Sequence, residues 1–477
     1  LPCGNLVLTG GGALGLGAGD FTARAIGTGD NQVQWTGSGG FAAFGADRAV
    51  KFSDASIPWT TTNFIGAGRV LVLGHDTADA TLDWQQAISL WGNARIVQVD
   101  DGSAPIDAKM SGIITGGSST TNSTANIFTK AGAGTLAFTV QNSHWGDTIV
   151  GAGTLMIGDG GTSGGLSRNS PNIVVETGAT LAVNRSDTLT QGADSLKPAI
   201  TGSGGFSQVG TGNTVLTLAN TYIGPTSIEA GTLTLGAGDV LPDASEVVLG
   251  NAILDAATFT DALGALDVAG SATIELGDGA ALAFADSSAI DWTGGTLDIT
   301  GDFVSGSSLR FGTGSGGLTV AQLLLITVNG GGGTLSLDDN GYLVAAPAGF
   351  DSWKTSNGVI VGVNDGLDDD HDGDGVANGI EYFIGGPDGN TTGFTALPGV
   401  VEDAGTLSVT WTKAADYPGV YGTDFRVETS ATLAAPWTMQ AADPDPGFTV
   451  TFPSATEVKF TFPTGTGDFA RLKVTDP

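Results

Sequence analysis

The 477-residue chain carries one cysteine, Cys3. An internal disulfide and any C-x-x-C zinc site are thereby excluded. Cys3 is then either an incidental thiol near the terminus or a point of intermolecular bridging or attachment. Basic residues are scarce too: 17 Lys and Arg stand against 49 Asp and Glu, for a formal net charge of −32. Such a surface repels nucleic acid and anionic membranes, and neither is expected as a partner. No run of about 18 apolar residues is present, so no membrane-spanning helix is expected. The chain starts at Leu1 without Met or a basic leader. It reads as a processed product whose signal peptide has been removed, and the expected location is extracellular or cell-surface.

Glycine is abundant, with 78 residues, yet no G-x-y period exists, which excludes collagen. Val, Leu, Ile and Phe are spread along the chain, which excludes wholesale disorder. Residues 1–345 alternate short runs of Val, Ile, Leu, Thr and Phe with Gly, Asn, Asp and Ser. Runs at 5–9, 32–36, 70–73, 95–99, 135–140, 172–176, 215–219, 246–249, 272–276 and 334–337 predict strands bounded by turns. Pro171, Pro225 and Pro242 sit at run edges, where a missing N–H breaks no ladder.

Two segments repeat in register, 78 residues apart. One is Asn142-x₃-Gly146-x₆-Gly153-Thr154-Leu155; the other is Asn220-x₃-Gly224-x₆-Gly231-Thr232-Leu233. Each follows a Thr-rich strand and precedes a Gly-rich turn and another strand. Such repetition predicts a solenoid of parallel sheets, with roughly 20 residues per coil and apolar side chains turned inward. The unit NTYIGPTSIEAGTLTLG from Asn220 resembles the autotransporter-associated β-strand repeat, also called the passenger-associated transport repeat, of Gram-negative bacteria, notably verrucomicrobial and planctomycetal ones. The resemblance covers about residues 20–345 and implies a parallel β-helix scaffold in a secreted or surface protein, without implying catalysis. No C-terminal series of amphipathic ~10-residue strands suits a translocator barrel, so another secretion route is expected.

From Ala346 the composition changes. A short helix is expected over 350–356, in a linker of residues 346–390. Residues 391–477 alternate more cleanly, at 407–412, 424–429, 448–452, 457–462 and 469–475, and predict a small all-β sandwich resembling fibronectin type III modules. Trp411, Trp437 and Phe462 are its candidate core.

One motif carries chemistry. Counting Asp370 as position 1 places Asp372 at 3, Asp374 at 5, Gly375 at 6, Val376 at 7, Asn378 at 9 and Glu381 at 12. This is the full D-x-D-x-D-G-x₅-E register of an EF-hand-type loop. Ca²⁺ takes 6–8 hard oxygens. The three Asp carboxylates, the Val376 carbonyl, Asn378 directly or through water, and a bidentate Glu381 on a short helix over 379–384 supply them. The loop resembles a single dockerin-like or thrombospondin type 3-like calcium loop and is expected to clamp two domains. The alternative is an acidic solvated linker.

Elsewhere the signals are weaker. His75, His144 and His371 have no ligand spacing and are expected as isolated surface or loop histidines. The tryptophans of the first 300 residues are expected to fill core, the alternative being a sugar-stacking surface. No G-x-S-x-G elbow or phosphate-cradling loop occurs. The expected function is a non-catalytic structural protein, a subunit of a surface fibre or ordered array, adhesive toward surface polysaccharide. The alternative is a β-helix polysaccharide lyase or glycoside hydrolase, which needs a basic groove or paired carboxylates. Self-assembly is expected head to tail: the first strand, with Leu6, Val7 and Leu8 beside Cys3, completes a sheet of the next copy.

Overall fold

The computed structural model describes residues 4–59, 61–117, 126–193, 195–292, 294–331, 335–345, 349–350, 353–354, 359–360, 362–385, 397–414, 417–433, 435–442, 449–462 and 469–475. It divides into two compact units, Leu1–Val344 and Ala345–Pro477. No helix among the described residues is long and apolar enough to cross a membrane.

The first unit is a parallel β-solenoid. An eight-stranded sheet runs from Ala13–Leu16 to Ile200–Gly202, and an eleven-stranded sheet from Phe21–Arg24 to Leu266–Val268. In both, up to Gly205–Gln208, each strand pairs with the third one along the chain, so each coil contributes three strands. Beyond that point most pairings advance by two. Ten rung steps of about 4.8 Å make the eleven-stranded sheet roughly 48 Å long. Coils are uneven: Val50 pairs with Trp84, 34 residues on, whereas Val247 pairs with Leu266, 19 residues on. The expected 20 residues per coil therefore holds only for the later coils, because the early ones carry a third strand and longer corners.

Burial alternates along most strands, as the two-residue period of a strand requires. Thr154–Ile157 and Thr232–Leu235 both bury their Leu and Ile positions and turn Thr outward. Leu136, Leu155, Leu181 and Phe206 stack rung on rung in the core. Earlier coils are filled by aromatics: Trp35 contacts Phe41, Phe52 and Phe64 at centroid distances of 5.0–6.2 Å. Trp59, Trp84 and Trp292 are buried likewise, but Trp91 is 62% exposed.

Corners leave backbone carbonyls facing inward, and buried polar side chains satisfy them. Lys130 donates from Nζ to Gly132 O (2.6 Å), Gly134 O and Ala152 O (2.7 Å). One repeat later Gln208 donates from Nε2 to Gly210 O (2.7 Å) and Gly212 O (3.3 Å). Asn142 and Asn220 also correspond. Each accepts a backbone N–H at 2.8 Å, from Ile114 and Ile200, and donates to a carbonyl of the following coil.

Asp261 performs a related task less well. Its Oδ2 accepts from Val240 N (3.0 Å) and Leu241 N (3.1 Å), while its buried Oδ1 has no hydrogen-bond partner. Burial, with Asp239 and Asp243 nearby, pushes this carboxyl up to about 6. A folded value above the unfolded one favours folding at acid pH, and that contribution is lost as pH rises through about 6. Asp261→Asn keeps the acceptor and removes the charge. Its stability relative to wild type is expected to improve by on the order of 2–3 kcal/mol between pH 4 and pH 7.5, read by denaturant unfolding at both. Equal differences at the two values contradict this account.

The second unit pairs antiparallel strands. One sheet contains Val401–Asp403, Thr406–Thr412, Glu457–Thr461 and Thr449–Ser454; the other contains Thr438–Met439, Phe425–Ser430 and Phe469–Val474. Val409, Trp411, Val458 and Phe460 from the first share one buried cluster with Phe425, Val427, Leu472 and Val474 from the second. Trp411 enters this core as expected and Phe462 packs against it. Trp437 is instead half-buried beneath the Arg471 guanidinium, 4.2 Å from its ring. Of the helix expected over 350–356, residues 351, 352, 355 and 356 lie outside the described residues.

Candidate metal centre

The acidic loop belongs to the second unit, where Ala345–Pro477 includes all of it. Segment 346–390 is thus not a linker between compact bodies. The helix that follows the loop, Asn378–Ile384, carries Tyr382 and Phe383 into the buried cluster. Phe383 lies 5.0 Å from both the Tyr417 and Phe425 rings. Two adjacent aromatic residues so placed outweigh the polar composition around them, because full burial of each stabilises by roughly 1.5–3 kcal/mol.

Within the loop, backbone donors set the carboxylates. Asp370 accepts from Gly373 N (2.8 Å) and Gly375 N (2.9 Å). Asp372 accepts from Asp374 N (3.1 Å), and Asp374 from Val376 N (2.8 Å). Gly373 and Gly375 adopt φ of 78° and 95°, a region that glycine enters without a Cβ penalty. Oxygens of Asp370, Asp372 and Asp374 converge within 4.8 Å of one another. Two unit charges at that separation repel by about 1 kcal/mol in water and about 3–4 kcal/mol at an effective dielectric of 20. Glu381, only 1% exposed, stands in the first turn of the helix. Carboxylate oxygens without sulfur or imidazole in the cluster suit a hard cation better than zinc or copper. The residues present therefore fit Ca²⁺: Asp370, Asp372, Asp374 and Glu381 would hold it, together with the Val376 carbonyl.

Asn378 does different work from the ligand role its spacing suggested. Its Nδ2 donates to Asn364 O (2.8 Å) and Gly366 O (2.9 Å), and its Oδ1 accepts from His371 N (3.0 Å). Fully buried, it fastens the entry of the loop to the helix. Spacing alone cannot separate a ligand from a staple. The contact of Lys473 Nζ with Asp368 joins the loop's flank to strand Phe469–Val474 and was not legible in the sequence, since 105 residues separate the partners.

The other expected sites are placed as follows. Leu6–Leu8 is the first rung of the chain's own solenoid: Leu6, Val7 and Leu8 pair in parallel with Val33, Gln34 and Trp35. Asn5 locks this arrangement, donating to Gly27 O (2.8 Å) and accepting from Gln34 Nε2 (2.6 Å). The strand is thus not held free for another copy, because pairing within one coil closes only a short loop. Cys3 lies outside the described residues. His75 is exposed, but His144 is fully buried, contrary to the surface position expected of it.

Comparison with known proteins follows the same division. The Passenger-associated-transport-repeat family matches residues 128–157 and 206–235, both within the solenoid. A stretch of 183 residues is 32% identical to the Adhesin BmaC autotransporter of Brucella suis biovar 1 (strain 1330). It covers 32% of this chain but about 5% of that protein's length. No solved structure matches. In its repeats and in this stretch, the chain is similar to the transported part of autotransporters, one of them an adhesin.

Proposed function

We propose that the chain is a secreted or cell-surface segment of a Gram-negative bacterium, a non-catalytic β-solenoid that holds adhesive surface away from the cell, with a Ca²⁺-stabilised second unit. The observation that carries this reading is the parallel solenoid bearing two passenger-type repeats, together with the 183-residue likeness to an autotransporter adhesin. A solenoid suits the task because each coil contacts only its neighbours, so length and lateral surface grow without a larger core. Surface polysaccharide is the proposed partner. Assembly into a fibre or ordered array belongs to the same proposal: Ala13–Leu16 and Phe21–Arg24 each stand first in their sheets, and a further coil or a second copy would add there.

Binding of Ca²⁺ by Asp370, Asp372, Asp374, Val376 and Glu381 is part of this proposal. A cation bound to the folded state alone stabilises it by about 2.7 kcal/mol at a hundredfold excess over Kd. In millimolar CaCl₂ the second unit is expected to resist proteolysis at 362–385, and Glu381→Gln to abolish that protection; identical cleavage with CaCl₂ and with chelator reduces the loop to an acidic segment. For the adhesive role, beads coated with the chain should be retained on polysaccharide-covered surfaces above albumin-coated beads. Shortening of any polysaccharide in an acidic and neutral panel, lost on substitution of one carboxylate, overturns the non-catalytic reading.

A further inference from the structure

His144 and Tyr222 occupy the same place in the two repeats and build the same buried network. His144 Nε2 lies 3.2 Å from Thr148 Oγ1, which lies 3.2 Å from Ser170 Oγ, which donates to Gly146 O at 2.9 Å. Tyr222 Oη lies 2.6 Å from Thr226 Oγ1, which lies 2.9 Å from Ser245 Oγ, which donates to Gly224 O at 2.7 Å. The ring beneath also corresponds: Phe128 is 6.0 Å from His144 at 40°, and Phe206 is 6.4 Å from Tyr222 at 36°. The two sites differ in one chemical respect. A phenol stays neutral at acid pH, whereas an imidazole takes up a proton.

Nothing around His144 is arranged to hold that proton. The residue is fully buried, and its Nδ1 has no hydrogen-bond partner. Phe128 faces it from the preceding coil, and Ser167 and Ser170 from the following one; Ser167 donates to its carbonyl. The charged residues nearby point elsewhere. Asp147 accepts from Asn172 Nδ2 (2.8 Å), Lys130 is bound to the carbonyls of its corner, and Arg168 is exposed.

We propose that His144 makes the first repeat an acid-sensitive joint, at which the solenoid opens locally while the equivalent coil at Tyr222 stays closed. Burial pulls the His144 imidazole down to about 4. The opened coil, with the ring in water near 6.5, therefore binds more protons below that pH, and closure weakens as pH falls from about 6.5 through about 4. Between pH 7 and pH 4.5 this amounts to on the order of 50-fold in the opening equilibrium.

Amide hydrogen exchange on the full chain, corrected for the intrinsic pH dependence of exchange, tests the proposal. In wild type the opening constant of 148–150 is expected to rise on the order of 50-fold from pH 7 to pH 4.5, and that of 226–228 to stay within about threefold. His144→Tyr, which installs the second repeat's own residue, and His144→Phe, which removes titration alone, should each abolish the rise. Tyr222→His should transfer it to 226–228. An unchanged opening constant in wild type, or an equal rise in both His144 variants, overturns the proposal.

Discussion

Gly40→Ala is expected to destroy amide protection across the strands Ala13–Leu16, Gly39–Ala43 and Val70–Leu73, at a cost of about 3 kcal/mol or more. Gly40 is buried in the eight-stranded sheet, between Ala13 on one rung and Val72 on the other. A Cβ at this position would stand 1.7 Å from the Val72 carbonyl oxygen and 2.7 Å from its carbon. Both are backbone atoms of the next rung, so no rotamer change relieves the overlap. The rungs must separate, and their hydrogen bonds with them. Gly19→Ala is the control: nothing lies within 4 Å of its added Cβ and its φ is not in the left-handed region. That variant should stay within about 0.5 kcal/mol of wild type. Because a solenoid need not unfold in one step, exchange resolved by strand is the appropriate measurement. Wild-type protection in Gly40→Ala contradicts the close rung contact.

Phe383→Ala should cost the second unit about 3–5 kcal/mol, as expected for emptying a fully buried phenylalanine site. Its ring meets Tyr417 and Phe425 edge to face or tilted, and these contacts are lost with it. Trp411, in the same cluster, offers a fluorescence signal for the loss. A further effect follows if the acidic loop binds Ca²⁺. Phe383 lies on the helix that presents Glu381, so calcium affinity measured by titration calorimetry should fall although no ligand has been changed. An unaltered affinity in a destabilised variant would mean that the loop organises itself without the core.

Much of the architecture was legible in the residues. Expected strands at 33–35, 70–73, 95–99 and 247–249 recur as Val33–Trp35, Val70–Leu73, Arg95–Val99 and Val247–Leu249, because alternation and turn residues are local signals. In the second unit, 407–412 and 469–475 recur as Thr406–Thr412 and Phe469–Val474 for the same reason. The acidic loop was equally plain, since its spacing lies within twelve residues. Less legible were positions whose role depends on a neighbouring coil. Nothing in the text around His144 distinguishes a surface imidazole from a buried one; only its equivalence to Tyr222 in the repeat was a signal, and it went unused. Lys130 likewise looks like a solvated lysine until the carbonyls of its corner are placed beside it.

The sequence by itself determined strand positions, the inward-facing side chains and the repeat, because all three rest on periodicity within a few residues. The tertiary structure alone decided how the repeats lie on the solenoid. The first copy places Phe128–Ala131 in the eight-stranded sheet and Thr135–Phe138 in the eleven-stranded one. The second places its equivalent Gly205–Gln208 in the eleven-stranded sheet and Asn213–Leu216 in the seven-stranded one. The copies are ten strands apart, and at three strands per coil that is three full coils plus one face. Two nearly identical segments therefore occupy different sides. The cause is closure: a coil ends where its rung hydrogen bonds meet those of the last coil, and the number of strands that takes is set by side chains packing across the core, not by the local text.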